Sequence, residues 1–335
     1  MKRIAIIGAT GRVGVIHAAA CDRSAHIELA AICDINVSEG EKLADKYGCS
    51  FYSSIDTMLN ELEFDIVDIC VPTFLHKQFI LLAAKHGKHV VCEKPVVLSL
   101  EDMDEILETV DKTKIIFMVE QTLRFWPEYV HIKKAYSNNE YGDIKMVSTT
   151  HLAQHPKLQW LIDPKKSGGG LFDLHIHNID ALMFMFGAVK SVYAVGWKSD
   201  TKCYDHVVST LKFNNGVSAV AESSFSMPNN YPFTMAFRIV GEDKTAEYSM
   251  SSADYGADDI VNSRRDLLIF ENDKSLVKVD IDIEIDAYQQ ALEYFTKCVE
   301  KNEPTQIITP EESRDVIRVI LAIQKSIETG HIIDI

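Results

Sequence analysis

Three glycines spaced three residues apart open the chain's first candidate site, Gly8-Ala9-Thr10-Gly11-Arg12-Val13-Gly14. An apolar run precedes this segment and a helical stretch follows it. Glycines allow a tight turn and let backbone N–H groups approach a pyrophosphate at a helix N-terminus, where the helix dipole favours anions. The segment therefore predicts a dinucleotide-binding turn, although its spacing is Gly-x-x-Gly-x-x-Gly and not the usual Gly-x-Gly-x-x-Gly. A glycine turn without a ligand is the alternative.

Asp34 ends a second apolar run, twenty residues beyond Gly14. A carboxylate at that place accepts hydrogen bonds from both ribose hydroxyls of an adenosine. Its charge would repel a 2′-phosphate, and the next residues, Ile35 and Asn36, offer no cation. Arg12 could still reach such a phosphate. We therefore expect NAD as the cofactor, with NADP possible; a solvated loop aspartate is the alternative.

Two further loops follow apolar runs that resemble buried strands. In an open parallel sheet, ligands bind beyond the carboxyl ends of the strands, so these loops should border the cofactor. One loop follows the apolar run 66–71 and the other follows the run 89–92. We expect cofactor contacts from residues of these loops, and also from Gln121 after the run 115–119: Pro72, Thr73, His76, Glu93, Lys94 and Gln121. Lys94 is either an ordinary surface charge or an ammonium that polarises a substrate oxygen and stabilises an alkoxide.

A second cluster of polar residues follows three consecutive glycines, 168–170. If the segment is helical, Asp173, His177 and Asp180 share one face, while His175 points elsewhere. That face presents an imidazole beside two carboxylates, a set suited to acid–base chemistry. One rival is a capped helix start with satisfied polar groups.

The other rival is a metal site formed by histidines of the same region, His151, His155, His175 and His177. Residues two apart share a face on a strand but not on a helix, so we expect no metal.

The first third of the chain alternates strand and helix patterns. Uninterrupted apolar runs at 4–7, 27–33, 66–71, 89–92 and 115–119 suit strands buried on both faces. Helical stretches separate them at 12–21, 38–47, 75–86 and 100–110. Strand–helix repetition of this kind predicts an α/β domain with a doubly wound parallel sheet over residues 1–122.

Beyond residue 144 the hydrophobic period changes to two, which favours antiparallel strands. Such stretches lie at 146–152, 192–197, 206–213, 217–225, 235–240, 267–270 and 276–279. Asn215-Gly216 between two of them predicts a tight hairpin. Residues 123–335 are therefore expected to form an α+β domain with an open, mostly antiparallel sheet.

Composition excludes several classes of protein. The 335 residues are 47% hydrophobic and 25% charged, as in globular proteins. A net charge of −15 repels phosphate backbones and anionic lipids, so we expect neither nucleic acid nor membrane as a partner. Seven cysteines, never spaced Cys-x-x-Cys, indicate reduced core thiols and a cytoplasmic location.

Together these segments resemble the Gfo/Idh/MocA oxidoreductases, a family that includes glucose–fructose oxidoreductase and inositol dehydrogenases. The resemblance rests on the glycine turn, Asp34, Glu93-Lys94-Pro95, Arg124-Phe125-Trp126-Pro127 and Gly-Gly-Gly-x-x-Asp-x-x-x-His. It covers essentially the whole chain. The longer glycine turn is a departure from the usual Gly-x-Gly-x-x-Gly spacing.

The resemblance implies a Rossmann domain, then a domain whose open sheet forms a homodimer or homotetramer. It also implies that Lys94 is catalytic together with Asp173 and His177. Arg124, His155 and Trp160 become candidate substrate contacts, beside Asp173 and His177. The expected reaction is hydride transfer between the cofactor and a hydroxyl or keto carbon of a sugar, polyol or cyclitol. A non-catalytic dinucleotide-binding regulator, or a reductase of a non-sugar C=C or C=N bond, are the alternatives.

Overall fold

The computed structural model describes residues 1–252, 263–281 and 286–335. The chain divides into two compact units, one of Met1–Phe125 with Glu284–Arg314 and the other of Trp126–Ile283 with Asp315–Ile335. The sequence predicted a single division after residue 122. The contacts instead group Glu284–Arg314 with the first unit.

The first unit is built on a six-stranded parallel sheet in the order β3-β2-β1-β4-β5-β6. Its strands are β1 (Lys2–Ile7), β2 (Ile27–Cys33), β3 (Ser50–Tyr52), β4 (Ile66–Ile69), β5 (His89–Glu93) and β6 (Phe117–Glu120). Every residue of β4 and of β6 is buried, as expected for strands covered on both faces. The order reverses next to β1, which places the carboxyl ends of β1 and β4 at the topological switch point.

Five helices connect these strands. They are α1 (Arg12–Arg23), α2 (Val37–Tyr47), α3 (Ile55–Glu61), α4 (His76–Lys85) and α5 (Leu100–Thr113). Side chains of Asn36, Ser54 and Ser99 cap α2, α3 and α5 by accepting a backbone N–H. The predicted doubly wound α/β fold is confirmed, with one short strand, β3, and one short helix, α3, that the sequence did not indicate.

The second unit holds a nine-stranded sheet in the order β14-β13-β12-β11-β7-β10-β9-β8-β15. The strands are β7 (Ile144–Gln154), β8 (Val189–Lys198), β9 (Tyr204–Phe213), β10 (Ser218–Met227), β11 (Phe233–Gly241), β12 (Lys244–Ser252), β13 (Arg264–Glu271), β14 (Val277–Lys278) and β15 (Ile333–Asp334). Among the described strands of this second sheet, only β7 and β10 pair in parallel. The predicted open, mostly antiparallel sheet is confirmed.

Three helices of the second unit lie between residues 127 and 186: α6 (Pro127–Ser137), α7 (Gly170–Asp173) and α8 (His175–Phe186). α8 packs on β7 and β10 and is buried along most of its length. Two later helices follow, α9 (Ala287–Lys301) and α10 (Pro310–Thr329). α9 packs against α1 in the first unit. Among the described helices, none is both long and apolar enough to cross a lipid bilayer.

Candidate active site

The turn between β1 and α1 is as tight as its glycines imply. Gly8 has a φ of +80°, and its N–H donates to the Cys33 carbonyl at 2.9 Å. A Cβ on Gly14 would lie 2.4 Å from the Gly8 carbonyl oxygen, so no larger residue fits there. In the described part of the chain, no side chain caps α1, and its first turn carries no acidic residue. These features fit an anionic group at the N-terminus of α1.

Asp34 is buried at the carboxyl end of β2, and its carboxylate is held from both sides. Oδ2 accepts the backbone N–H of Thr10 and Oδ1 that of Asn36, each at 2.9 Å. A carboxylate oxygen has two lone pairs, so each oxygen keeps acceptor capacity for a hydroxyl. The predicted ribose-binding carboxylate is therefore fixed in place by the glycine turn itself.

His76 links the two loops that were predicted to border the cofactor. Its Nδ1 and Nε2 lie 3.0 and 2.8 Å from the carbonyl oxygens of Pro95 and Val71. Burial lowers the pKa of His76, against the raising effect of these carbonyl contacts. The side chain thus ties the loop after β4 to the loop after β5. Pro72 and Thr73 lie in the first of these loops, with Thr73 buried.

Lys94 follows β5 directly and is partly exposed, whereas its neighbours Glu93 and Pro95 are buried. The Glu93 carboxylate accepts the Lys94 backbone N–H at 3.0 Å, and the Lys94–Pro95 peptide bond is cis. The backbone at Lys94 is therefore fixed on both sides.

Gln121 follows β6 and is buried, and its backbone carbonyl accepts the N–H of Arg124 at 3.0 Å.

Arg124, a predicted substrate contact, is buried and bound within its own unit. Its Nη1 donates to the Ile307 carbonyl at 2.6 Å and to the Glu312 carboxylate at 2.8 Å. The Arg124 side chain is 2% exposed, and Glu312 lies in the first turn of α10. The pair therefore anchors the start of that helix. A contact between Arg124 and substrate stays a prediction.

The segment with Asp173 and His177 is helical but not continuous. α7 ends at Asp173, Leu174 interrupts the helix with φ −105° and ψ −46°, and α8 begins at His175. The expected i, i+4 geometry of an unbroken helix is therefore wrong at this step. Of residues 169–182, Asp173 and His177 alone are not buried. Asp180, which was expected on the same face, is 1% exposed.

Two buried histidines lie near His177. The ring of His151 stacks on that of His177 with centroids 5.5 Å apart, and His151 Nδ1 lies 2.6 Å from Asn178 Oδ1. His175 contacts the hydroxyls of Ser223 and Ser209 at 2.8 Å each through its two ring nitrogens. Both nitrogens of His175 are therefore engaged by hydroxyls, which argues against its use as a metal ligand.

Burial lowers the pKa of His175 to about 3, with a smaller contribution from His151. In the unfolded chain a histidine titrates near 6.5. The neutral His175 therefore contributes its full stabilisation to the folded state above pH 6.5. This contribution decreases as the pH falls, by about 1.4 kcal/mol for each pH unit below 6.5. We expect the midpoint of urea unfolding to fall steeply from about pH 6.5 to pH 4.

A His175→Asn variant supplies the control for this pH dependence. It should be less stable at neutral pH, because the two serine hydroxyls lose a partner, yet its stability should change less over the same acid range. Equal slopes for the variant and the unchanged protein would contradict this account of His175.

His155 and Trp160, the other predicted substrate contacts, are partly exposed in the segment between β7 and α7. His155 Nδ1 lies 3.1 Å from the carbonyl oxygen of Pro156. Their contact with substrate also stays a prediction.

The sequence analysis missed a buried cluster in the first unit. His17, Asp68 and Cys70 bring their polar atoms within 4.8 Å of one another, the one group of this kind among the described residues that could hold a metal ion. His17 lies on α1 and Asp68 on β4, so only the fold brings them together. An aspartate inside an otherwise apolar strand, Ile66–Ile69, was the available signal.

The chain matches two family profiles in succession. Residues 2–121 match an oxidoreductase family with an NAD-binding Rossmann fold, and residues 129–247 match the GFO/IDH/MocA C-terminal domain. Inositol 2-dehydrogenase of Rhizobium meliloti (strain 1021) is 32% identical over 232 residues, which are 66% of this chain and 68% of that protein. The chain belongs to the GFO/IDH/MocA family of oxidoreductases. The resemblance inferred from the motifs is confirmed, and so is the nicotinamide dinucleotide cofactor.

Other known proteins match over nearly the whole chain. D-glucoside 3-dehydrogenase of Escherichia coli (strain K12) is 27% identical over 351 aligned positions, 98% of this chain and 96% of that protein. The crystal structure of aldose-aldose oxidoreductase from Caulobacter crescentus superposes with a TM-score of 0.88 at 20% identity and covers all of both chains. That structural likeness concerns the fold.

Proposed function

We propose that this GFO/IDH/MocA protein is a dehydrogenase that oxidises a CH–OH carbon of a sugar, polyol or cyclitol. The observation that carries the proposal is the exposure pattern of residues 169–182, where Asp173 and His177 alone are not buried. A carboxylate and an imidazole that stay accessible in an otherwise buried segment suit general acid–base catalysis. The names of the relatives, which act on inositol and on glucosides, favour this substrate class.

The bound dinucleotide supplies the hydride acceptor. Within the proposal, His177 removes the proton of the substrate hydroxyl, and Asp173 orients its ring. Lys94 stabilises the negative charge that develops on the same oxygen. An imidazole can accept and release a proton near neutral pH, and an ammonium carries a positive charge. We therefore assign proton transfer to His177 and electrostatic stabilisation to Lys94.

The residues of the first unit support NAD over NADP. The Asp34 carboxylate is fixed by Thr10 and Asn36, and a 2′-phosphate beside it would meet an uncompensated negative charge. Ile35, the next residue, is 94% exposed and brings no cation. Arg12 is exposed at the first position of α1 and is the side chain that would allow some NADP binding.

The proposal is tested by screening sugars, polyols and cyclitols with NAD and with NADP, following absorbance of the reduced cofactor. A dehydrogenase produces NADH with at least one compound of the panel. A non-catalytic regulator binds NAD, as titration calorimetry would show, but yields no NADH with any compound. A reductase of C=C or C=N bonds instead consumes NADH only when an unsaturated substrate is supplied in the reverse assay.

The open sheet of the second unit suits the proposed homo-oligomer. Three side chains of β8 that are 41–57% exposed are large and apolar: Tyr193, Val195 and Trp197. Exposed apolar patches of this kind mark interaction surfaces. Light scattering should give a mass of two or four chains, and a Val195→Lys, Trp197→Glu variant should give one. A monomeric mass for the unchanged protein would contradict the proposal.

The cytoplasmic location is also part of the proposal. All seven cysteines are free, and five of them are buried. Unpaired buried thiols are typical of proteins in a reducing compartment.

A further inference from the structure

A chain of polar contacts in the first unit leads from the middle of the sheet to Lys94. Asp68 Oδ2 lies 2.8 Å from His17 Nδ1, and His17 Nε2 lies 3.3 Å from Glu93 Oε1. The other oxygen of Glu93 accepts the backbone N–H of Lys94 at 3.0 Å. The side chains of His17 and Asp68 are 0% exposed and that of Glu93 is 9% exposed. Solvent therefore screens none of these contacts effectively.

The geometry around His17 favours a protonated ring. Nδ1 is hydrogen-bonded to Asp68, and Nε2 faces the Glu93 carboxylate at 3.3 Å without forming a hydrogen bond, so the second contact is attractive as an ion pair when the ring is an imidazolium. Burial by itself lowers the pKa of His17, but the charge of Asp68 and the hydrogen bonds to Asp68 and Cys70 raise it well above its ordinary value. An imidazolium places a positive charge between two carboxylates.

The Glu93 carboxylate has a second acidic neighbour, Glu120. Glu93 and Glu120 are paired in register on β5 and β6. Burial raises the pKa of Glu120 to about 8, with the charges of Glu93 and Asp68 adding to the rise and His17 opposing it. Glu120 is therefore mostly protonated at neutral pH, and Glu93 is the carboxylate whose charge faces the His17 ring.

The remaining groups around His17 are neutral or weakly polar. Cys70 Sγ lies 3.5 Å from His17 Nδ1, and the ring of Tyr288 on α9 packs with its centroid 5.4 Å from that of His17. Burial raises the pKa of both the Cys70 thiol and the Tyr288 phenol above their ordinary values. Both groups therefore stay protonated, and His17 is the cation of the cluster.

We propose that His17, held as an imidazolium by Asp68, is a positioning residue that fixes Glu93 and thereby the backbone at Lys94. The inference rests on the proposed function of Lys94. A displacement of about 1 Å at a group that contacts substrate can lower turnover a hundredfold. His17 accordingly affects the chemical step without contacting substrate or cofactor.

Nitrogen NMR of the unchanged protein tests the charge of the ring without any substrate. In protein labelled with ¹⁵N-histidine, both ring nitrogens of His17 should show shifts of protonated nitrogens at a pH well above 6.5, the ordinary value. The His17→Gln variant assigns the signals. A neutral tautomer at that pH would overturn the proposal, whether or not Lys94 is catalytic.

Kinetics of a double-mutant cycle test the link to Lys94. We expect His17→Gln to lower kcat about tenfold to a hundredfold while the Kd for NAD stays nearly unchanged. In a Lys94→Ala background the same substitution should cause no further loss, because the group that it positions is already absent. Cys21→Ala, a buried change one turn further along α1, is the matched control and should keep kcat.

The outcomes separate this inference from the proposed function. If Lys94→Ala lowers kcat but His17→Gln does not, the positioning role is wrong and the proposed function stands. If His17→Gln lowers kcat equally in both backgrounds, His17 has a general structural role and the inference is likewise wrong. If Lys94→Ala itself leaves kcat unchanged, the proposed role of Lys94 fails, and the positioning role of His17 is overturned with it, whatever ring charge the NMR shows.

Discussion

Replacing Lys94 with alanine should lower kcat about a hundredfold or more, which corresponds to about 2.7 kcal/mol of lost transition-state stabilisation. In the proposed mechanism the Lys94 ammonium compensates the charge that develops on the substrate oxygen as the hydride leaves. Its backbone is fixed by Glu93 on one side and by buried Pro95 on the other, so the charge requires little reorganisation. Steady-state kinetics with the substrate found in the panel measure the loss, and NAD titration shows whether cofactor affinity is retained.

Lys88→Ala is the matched control for this substitution. Lys88 precedes the opposite end of β5, where its Nζ donates to the Phe64 carbonyl at 2.8 Å and lies 4.6 Å from the centre of the Phe64 ring. Lys88→Ala removes one positive charge, as Lys94→Ala does, from a residue that adjoins the same strand, and it should leave kcat unchanged. Equal effects of the two substitutions would indicate a general electrostatic or stability effect and would contradict a catalytic role for Lys94.

Replacing His177 with alanine should also lower kcat about a hundredfold, the usual effect of removing a positioned acid–base group. In the oxidation direction the base must be neutral, so activity should rise with pH as the base loses its proton. The variant should lose that rise together with most of its rate. The measurement is the pH dependence of kcat for both proteins.

His131→Ala, a substitution of a partly exposed histidine on α6, provides the comparison for His177. It removes an imidazole from the same unit, away from the Asp173 segment in sequence, and should preserve both the rate and the pH profile. A His177→Ala protein that retained the acid limb of the profile would show that another group is the base.

The α/β half of the fold was predictable because its strands are buried on both faces and therefore appear as unbroken apolar runs. The exceptions have physical causes. β3 has three residues, Ser50–Tyr52, of which none is fully buried, so it lacks the apolar run of a central strand. In the second unit, β12 was not predicted: it buries Ala246, Tyr248 and Met250 but carries polar residues between them, a pattern too weakly hydrophobic to indicate a strand. Grouping of Glu284–Arg314 with the first unit depends on tertiary contacts that no local pattern encodes.

The candidate site was predictable where its residues form short local motifs. The glycine turn, Asp34 and Lys94 each lie beside a strand that the sequence indicates. The break at Leu174 was not predictable, because Asp173 to His177 carries no proline or glycine to interrupt a helix. The contact between His17 and Asp68 joins residues 51 positions apart, and only the packing of α1 on the sheet reveals it.

Following deuterium from substrate to cofactor is the most direct test of the central claim, that this GFO/IDH/MocA protein transfers a hydride from a CH–OH carbon. A compound from the panel would be labelled with deuterium at its carbinol carbon and incubated with NAD. The account predicts reduced cofactor that carries the deuterium, formed by the unchanged protein at a rate about a hundredfold above that of Lys94→Ala. Binding of NAD without any deuterium transfer from the sugars, polyols and cyclitols tested would contradict it.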